Sequence, residues 1–275
     1  MSRETAIGFG AEAPSRCPAC GGSALSASGS QRRECSACGT IWVSHRRNYI
    51  YDDVYPKQRS HHDAVVARCK QITLRAWLRR LNAPITGQTV LEIGFGGGAT
   101  LELVQTLGGI AHGMEPVPAN RAAAVGLGIP ADQITGDLAN FGGKRFDLAI
   151  YLDSFEHLLE PREHLTALST LTAPASRALV VLPVADCFSR RLMGRWWPHD
   201  LDDHWIFYSR QGLTKLWQDF GWQCTGVFFP WKFISLRTVA QHWQIKTHRP
   251  MPTFGFGDVG IWLNFGERGF IFDRR

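Results

Sequence analysis

The stretch that decides the fold is Val90-Leu91-Glu92-Ile93-Gly94-Phe95-Gly96-Gly97-Gly98-Ala99. The apolar run at residues 88–93 predicts a buried strand, and residues 99–107 predict a helix. A glycine loop between a strand and a helix lets a ligand approach bare backbone at the positive end of the helix. This stretch therefore predicts a strand, loop and helix that bind a ligand through the main chain.

The alternation of strand and helix continues on the C-terminal side of this unit. Such alternation is typical of an α/β fold with a doubly wound parallel sheet. Residues 247–260 are rich in Pro and Gly, and no element is assigned to them. Further strands are predicted at 109–114, 131–134, 146–152, 177–182, 222–229 and 268–273, and helices at 59–82, 119–125, 162–171, 210–220 and 232–243.

The glycine loop alone is compatible with two kinds of cofactor. Gly94 to Ala99 match G-x-G-x-x-A, which could bind a dinucleotide. The acid at Glu115 follows Gly96 by 19 residues and could hold a ribose in either case. Glu92, two residues before the first glycine, is unusual in dinucleotide folds, so the neighbouring motifs have to decide.

Three motifs in order resemble class I S-adenosylmethionine (SAM) dependent methyltransferases. Residues 90–98 resemble the E/D-x-G-x-G-x-G motif of that family, and residues 146–158, ending Glu156-His157-Leu158, look like its fourth-strand motif. His204-Trp205-Ile206-Phe207-Tyr208-Ser209 is similar to the H-x-x-x-[FY]-S before its late helix. The resemblance covers residues 88–229, and the nearest subgroup is ubiquinone-methyltransferase-like. It implies a Rossmann-like seven-stranded sheet whose last strand is antiparallel.

The resemblance also implies which residues bind SAM. The loop glycines would pass beneath the amino-acid and ribose portions of the cofactor, and Glu115 would accept hydrogen bonds from both ribose hydroxyls. Asp137 would accept from the adenine amine, and Leu138 would lie against the ring. The carboxyl end of the fourth strand would border the methionine portion. The predicted cofactor-binding residues are Glu92, Gly94, Gly96, Gly98, Glu115, Asp137, Leu138, Tyr151 and Asp153.

The N-terminal cysteines form two C-x-x-C-G turns, at Cys17 and Cys20 and at Cys35 and Cys38. Two such turns facing each other make a tetrahedral four-thiolate zinc site of the zinc-ribbon kind. Two disulfides or a redox C-x-x-C are the alternatives. Disulfides fit a cytoplasmic chain poorly, and a redox motif is expected once, near a βαβ unit, and not twice in a short segment. Four thiolates leave no open coordination position, so we expect a structural zinc ion.

Methyl transfer to a hydroxyl requires a base that removes the proton. His157 is the first candidate, with Glu156 beside it and His204 in the aromatic cap as the reserve. Either histidine could instead have a purely structural role, capping a helix or anchoring the cap. The sequence Asp153-x-x-Glu156-His157 could also hold a divalent ion that activates a catechol-like hydroxyl, as some ubiquinone-pathway relatives suggest.

Length, charge and composition bound the remaining possibilities. The 275 residues carry a formal net charge of +6, and residues 1–80 alone carry +7. The chain contains no apolar stretch long enough to span a membrane and no apolar leader at its N-terminus, so we expect a cytoplasmic protein without a membrane partner. The predicted organisation is a zinc ribbon at 1–50, a linker and helix at 51–83, and a methyltransferase domain at 84–275 with a cap at about 186–208.

Three functions are compatible with these features. The first is methyl transfer to a small molecule, on oxygen, in sugar or natural-product metabolism. The second is RNA base methylation, with the basic N-terminal region docking the RNA. Against the second, residues 153–155 read Asp-Ser-Phe and lack the Asn/Asp-Pro-Pro-aromatic motif of many amino-methylating enzymes. The third is a SAM-binding or interaction protein without catalysis.

Overall fold

A computed structural model describes residues 14–22, 25–28, 32–43, 64–81, 84–201, 203–240 and 259–275. Residues 51–63, which contain the predicted linker and the first part of the helix predicted at 59–82, lie outside these ranges, as do residues 241–258. The strands are β1 (Leu25–Ser28), β2 (Arg32–Cys35), β3 (Ile41–Val43), β4 (Thr89–Ile93), β5 (Ile110–Met114), β6 (Ile134–Thr135), β7 (Phe146–Leu152), β8 (Thr172–Pro183), β9 (Ile206–Phe207), β10 (Trp222–Phe228), β11 (Lys232–Ser235), β12 (Gly260–Leu263) and β13 (Glu267–Arg274). The α-helices are α1 (Ala64–Leu78), α2 (Ala99–Thr106), α3 (Pro118–Gly126), α4 (Pro161–Thr170), α5 (Phe188–Met193) and α6 (Arg210–Asp219).

The central sheet has seven strands in the order β10-β13-β8-β7-β4-β5-β6. Strands β4 to β8 of this sheet pair in parallel, whereas β13 runs antiparallel to both β8 and β10. This is the predicted Rossmann-like sheet with an antiparallel last strand, and the prediction is confirmed. The carboxyl ends of the parallel strands meet at one edge, where folds of this kind bind ligands.

Neighbouring residues of a strand point to opposite faces of the sheet. Because apolar residues occupy both faces here, helices cover both. Val90 lies in a core cluster with residues of α1, α2 and α3, and the adjacent Leu91 lies in a second cluster with residues of α4 and α6. All the strand residues from Val90 to Ile93 are buried, which explains why apolar residues occur on both faces of this strand, with Glu92 as the one ionisable residue among them.

The predicted helix at residues 232–243 is wrong for its first part. Residues 232–235 form β11, which pairs antiparallel with β12, and helix begins only at residue 236. Phe233 packs against Trp262 with ring centroids 5.4 Å apart across the two strands. The partner strand follows more than 20 residues later, so a local periodicity could not reveal the pairing.

The N-terminal strands do not form an isolated sheet. Strands β1, β2 and β3 continue into β9, a strand from the cap of the large domain. Ile41 pairs with Phe207 and Trp42 with Ile206, and the Val43 N–H donates to the Trp205 carbonyl at 3.1 Å. The ribbon and the cap therefore share one sheet.

None of the helices in the described ranges is long and apolar enough to cross a bilayer.

Candidate functional site

The loop after β4 turns at three glycines with left-handed backbone. The φ angles of Gly94, Gly96 and Gly98 are 73°, 59° and 86°, a region that side chains disfavour. A Cβ at Gly94 would lie 2.7 Å from the Cβ of Ser154, so the loop also packs too closely there for any side chain. These glycines bring bare backbone to the carboxyl edge of the sheet, immediately before α2, where Gly94 is half-buried and Gly96 and Gly98 are buried.

Glu115 follows β5, and its carboxylate forms a hydrogen bond with the backbone of the glycine loop. Its Oε2 accepts from the Gly96 N–H at 2.9 Å, and its Oε1 accepts from the Val117 N–H at 3.0 Å. A carboxylate has about four acceptor positions, so two remain beside the loop. The predicted ribose acid is therefore fixed in orientation and still able to accept two hydrogen bonds.

Glu92 lies beneath the same loop and is 3% exposed. Burial raises its pKa from 4.5 to about 7, although Lys70 and a hydrogen bond with Thr100 act in the opposite direction. Its Oε2 is buried and has no hydrogen-bond partner among the described residues. The side chain can thus carry a proton near neutral pH and offers one buried oxygen to a ligand on the loop.

The predicted adenine-binding pair lies after β6. Asp137 is exposed, and its Oδ1 accepts from the Ala139 N–H at 3.0 Å, which caps a short 3-10 helix at Leu138–Phe141. Leu138 is 4% exposed and packs in the core. The Arg121 guanidinium donates to the Glu115 carbonyl at 2.7 Å and so ties this loop region to the end of β5.

Tyr151 and Asp153, the two residues predicted to bind the cofactor at the end of β7, differ in their surroundings. Tyr151 is fully buried, and its hydroxyl lies 2.8 Å from Nε2 of His164. Asp153 has a φ of 52°, unusual for a residue with a side chain, and its N–H donates to the Val181 carbonyl at 2.9 Å. Only Asp153 turns its side chain toward the edge of the sheet, with 40% of that side chain exposed.

Sequence reasoning missed the cation that holds Asp153. The Lys232 ammonium lies 2.7 Å and 2.6 Å from the two Asp153 carboxylate oxygens and 2.9 Å from Oε1 of Glu267. Burial alone would lower the pKa of Lys232, but these carboxylates outweigh it and raise the pKa above its usual value. No motif marked Lys232, because it reaches the site through the strand that was predicted as helix.

Glu267 joins this cation to the cap. It is 2% exposed, and its Oε1 lies 3.1 Å from Nε2 of His199. Burial opposes ionisation of Glu267, yet Lys232 and His199 hold its pKa well below the usual range. A buried, ionised carboxylate therefore connects β11, β13 and the cap at the carboxyl edge.

The three predicted catalytic side chains converge in the structure. Ligand atoms of Glu156, His157 and His204 all lie within 4.8 Å of one another. His157 Nδ1 donates to the Asp203 carbonyl at 2.6 Å, so the neutral ring carries its lone pair on Nε2. The His157 and His204 rings meet edge to face at 4.7 Å.

Glu156 is the most deeply buried member of this group. It is 0% exposed, and neither carboxylate oxygen has a hydrogen-bond partner among the described residues. Burial, together with the nearby Asp153 charge, raises the pKa of Glu156 well above its usual value. Its Oε1 lies 3.9 Å from Nε2 of His204. The arrangement can hold a proton on Glu156 and accept another on an imidazole.

The four N-terminal cysteines also converge. All four sulfur atoms lie within 4.8 Å of one another, with Cys17 to Cys38 and Cys20 to Cys35 each at 3.6 Å. A disulfide would require about 2.05 Å. Tetrahedral zinc with bonds of about 2.3 Å separates its sulfur ligands by roughly 3.8 Å, so the spacing fits zinc.

The cysteine cluster touches the cap through one serine. Ser209 Oγ donates to the Cys38 carbonyl and accepts from the Gly212 N–H at 2.9 Å, which caps the N-terminus of α6. A Cβ at Gly212 would lie 3.1 Å from the Cys38 sulfur. The first turn of α6 therefore packs directly on the cysteine cluster.

Comparisons with known proteins agree with this architecture. The family model for a methyltransferase domain matches residues 61–227. The chain is similar to the ubiquinone biosynthesis O-methyltransferase of Methylobacterium sp. (strain 4-46), with 24% identity over 61% of this chain and 75% of that one. It is 28% identical to the protein of that name from Dinoroseobacter shibae, over 50% of this chain and less than two thirds (61%) of the relative.

Solved structures show the same fold at low sequence identity. Magnesium protoporphyrin IX methyltransferase from Synechocystis PCC 6803, with bound SAM, has a TM-score of 0.51 at 15% identity and covers 82% of this chain and 93% of its own. The PH0226 protein from Pyrococcus horikoshii OT3 has a TM-score of 0.53 at 14% identity and covers 82% of this chain and 98% of its own.

Proposed function

The chain belongs to the methyltransferase domain family, and we propose that this class I SAM-dependent enzyme methylates a hydroxyl oxygen of a small molecule. The observation that carries the proposal is the cluster of Glu156, His157 and His204 at the carboxyl edge of the sheet. An imidazole whose lone pair is fixed on one nitrogen is suited to take a hydroxyl proton, because its pKa lies near working pH. The two curated relatives named above, both O-methyltransferases by name, support oxygen as the acceptor.

The glycine loop and Glu115 fit the cofactor that this reaction needs. SAM supplies an activated methyl group, so the protein has to align the two reactants and exclude water. Glu115 retains acceptor positions for the ribose hydroxyls, and beneath the same loop the buried Oε2 of Glu92 has no hydrogen-bond partner in the part of the chain that the structure describes. Asp153, held by Lys232, would border the methionine portion.

In the proposed reaction, the acceptor oxygen attacks the methyl carbon as the bond from that carbon to sulfur breaks. His157 takes the hydroxyl proton on Nε2, while Nδ1 keeps its hydrogen bond to the Asp203 carbonyl. The product is an O-methyl ether, and S-adenosylhomocysteine leaves with the electron pair of the broken bond. The Asp203 carboxylate, whose Oδ2 lies 3.9 Å from Nδ1 of His157, would stabilise the positive charge that the ring gains.

A variant of His157 tests the base directly. His157→Gln should lower turnover about 10²–10⁴-fold and leave SAM affinity unchanged, because the base contacts the acceptor and not the cofactor. Methyl-labelled SAM with a panel of catechols, simple phenols and nucleotide sugars provides the assay. His112→Gln, which changes an imidazole within β5 instead, is the control and should retain turnover. Equal turnover of His157→Gln and the parent on an accepted hydroxyl would remove His157 from the mechanism.

A divalent ion is the second candidate for activating the hydroxyl at this site. Glu156, His157 and His204 are spaced to hold one, and neither carboxylate oxygen of Glu156 has a hydrogen-bond partner among the described residues. Asp153 is a weaker ligand candidate than the sequence indicated, because Lys232 already neutralises it. Turnover that requires added Mg²⁺ and is lost in Glu156→Gln would favour the ion over a simple base.

The cysteine cluster would hold a structural zinc ion, and the spacing of its sulfur atoms supports this proposal.

RNA base methylation remains a further candidate function, supported by the +7 charge of residues 1–80. Retention of the purified protein on RNA that falls steeply with salt would favour RNA over a small-molecule acceptor.

A further inference from the structure

Helix α5 presents large apolar side chains to solvent. Phe188 and Leu192 are 74% and 73% exposed, more than any other large apolar side chain in the described ranges. Trp196, four residues further on in the adjoining 3-10 turn, is 52% exposed. Phe188 and Leu192 are four residues apart, which places their side chains on the same side of the helix. Gly194, with a φ of 52°, ends that helix before Trp196. Such a concentration of apolar surface usually marks a contact site.

The opposite side of this segment is fastened to the protein. Ser189 Oγ and Trp197 Nε1 both donate to the Phe265 carbonyl at 2.5 Å, and Trp197 is only 1% exposed. Arg190 donates to the Ala185 carbonyl at 3.1 Å. The segment that carries the exposed apolar side chains is therefore attached to the rest of the protein by hydrogen bonds and by the buried Trp197.

More exposed aromatic side chains surround the same turn. Phe229 and Trp231 follow β10 and are 58% and 53% exposed, and Trp262 on β12 is 43% exposed. Asn264 donates to the Pro230 carbonyl at 3.2 Å, which connects this loop to the turn that holds α5. We call the combined area the aromatic edge, and it comprises Phe188, Leu192, Trp196, Phe229, Trp231 and Trp262.

The aromatic edge is set among positive charges. The segments 184–197, 226–240 and 259–270 contain six Lys and Arg residues and two acids. One of the six, Lys232, is largely buried between Asp153 and Glu267 and adds no net charge to the surface, so five arginines remain. Of the acids, Glu267 is buried against Lys232, and Asp186 is paired with Arg210 at 2.8 Å. The Arg268 guanidinium lies over the Phe229 ring at 3.9 Å from its centroid. The surface around the edge is thus apolar at its centre and cationic at its margin.

We propose that the aromatic edge binds the surface of an anionic lipid bilayer. Tryptophan and phenylalanine side chains flanked by arginines are the combination that inserts at the level of lipid headgroups. A second copy of the chain fits less well, because a two-fold contact would bring the same arginines against each other. Binding is peripheral and needs no spanning helix. Strands β8 and β10 end at the carboxyl edge of the sheet, where the strands that lead to Glu115 and Asp153 also end.

Sedimentation of the full-length protein with vesicles tests the proposal. We expect binding to vesicles of phosphatidylcholine with about one quarter phosphatidylglycerol, and much weaker binding to phosphatidylcholine alone. Phe188→Ser with Leu192→Ser should reduce the apparent affinity at least tenfold, because each substitution removes a side chain that would insert. Arg191→Glu should weaken binding and reduce its dependence on salt.

The matched control is Val125→Ser with Leu127→Ser, which changes two apolar side chains that are each 45% exposed in or just after α3. It should bind vesicles like the parent protein. Circular dichroism and SAM affinity should be unchanged in every variant, which separates lost binding from lost folding. No binding of the parent to anionic vesicles would overturn the proposal. So would equal binding by both double variants, or an effect of the α5 variant on self-association alone.

Discussion

Three buried carboxyl groups at the carboxyl edge of the sheet differ in charge because their neighbours differ. Glu267 stays ionised between Lys232 and His199, whereas burial and the nearby Asp153 charge raise the pKa of Glu156. Glu92 is intermediate, with a pKa of about 7. Ionisation of these residues follows from contacts that only the folded chain supplies.

Glu92 makes the stability of the cofactor-free protein depend on pH. Its folded pKa of about 7 exceeds the unfolded value of 4.5, so its contribution is fully present below pH 4.5 and is lost as pH rises through 7. Glu92→Gln cannot ionise, so it should gain up to about 3 kcal/mol relative to the parent between pH 5 and pH 8. Urea unfolding at both pH values measures this. Glu163→Gln, an exposed acid in α4, is the control, and an equal Glu92→Gln effect at both pH values would contradict the argument.

Among the secondary-structure elements, α6 depends most visibly on a partner distant in sequence. Ser209 caps its first turn and also bonds the backbone of a zinc-ligand candidate, Cys38. Ser209→Ala should destabilise the protein by about 1–2 kcal/mol, because both hydrogen bonds are lost in a buried position. Thr106→Ala removes an exposed hydroxyl that bonds within α2 and should cost much less. Chemical denaturation compares the two, and equal losses would mean that the cap and its link to the ribbon contribute little.

The elements that were predicted well are those whose signal is local. Strand β4, its glycine loop and α2 follow from adjacent residues, as does the helix predicted directly after Ser209. The pairing of β3 with β9 and of β11 with β12 joins segments far apart in sequence, and no periodicity encodes such a register. Lys232 and Glu267 were missed for the same reason. The roles predicted for the SAM-binding and catalytic residues remain predictions, and the positions of these residues are compatible with them.

At the scale of the whole molecule, the N-terminal ribbon pairs with a strand of the cap. The ribbon therefore lies next to the proposed acceptor site. His204 and Trp205 immediately precede β9, which pairs with β3 of the ribbon. Arg32 of β2 also forms an ion pair with Asp200 of the cap. The geometry of the cap is therefore tied to the fold of the cysteine cluster.

Removal of the proposed zinc ion should loosen the cap and spare the cofactor site. Ribbons of this kind depend on metal for folding, so chelation should speed amide hydrogen exchange at residues 204–208 as well as 32–43. The strands β4 and β5, which carry the glycine loop and Glu115, should keep their protection. Metal analysis should give one zinc ion per chain before chelation. Unchanged exchange at residues 204–208 after complete removal would contradict the coupling.

Titration calorimetry with SAM tests the central claim, that the glycine loop and Glu115 form the cofactor site. The parent protein should bind one SAM per chain and show no comparable affinity for NAD. Glu115→Gln should weaken SAM binding roughly ten- to hundred-fold, since a charged hydrogen-bond acceptor contributes about 1.5–3 kcal/mol. Glu163→Gln should bind like the parent. Unchanged SAM affinity in Glu115→Gln, or tight NAD binding by the parent, would contradict this account of the site.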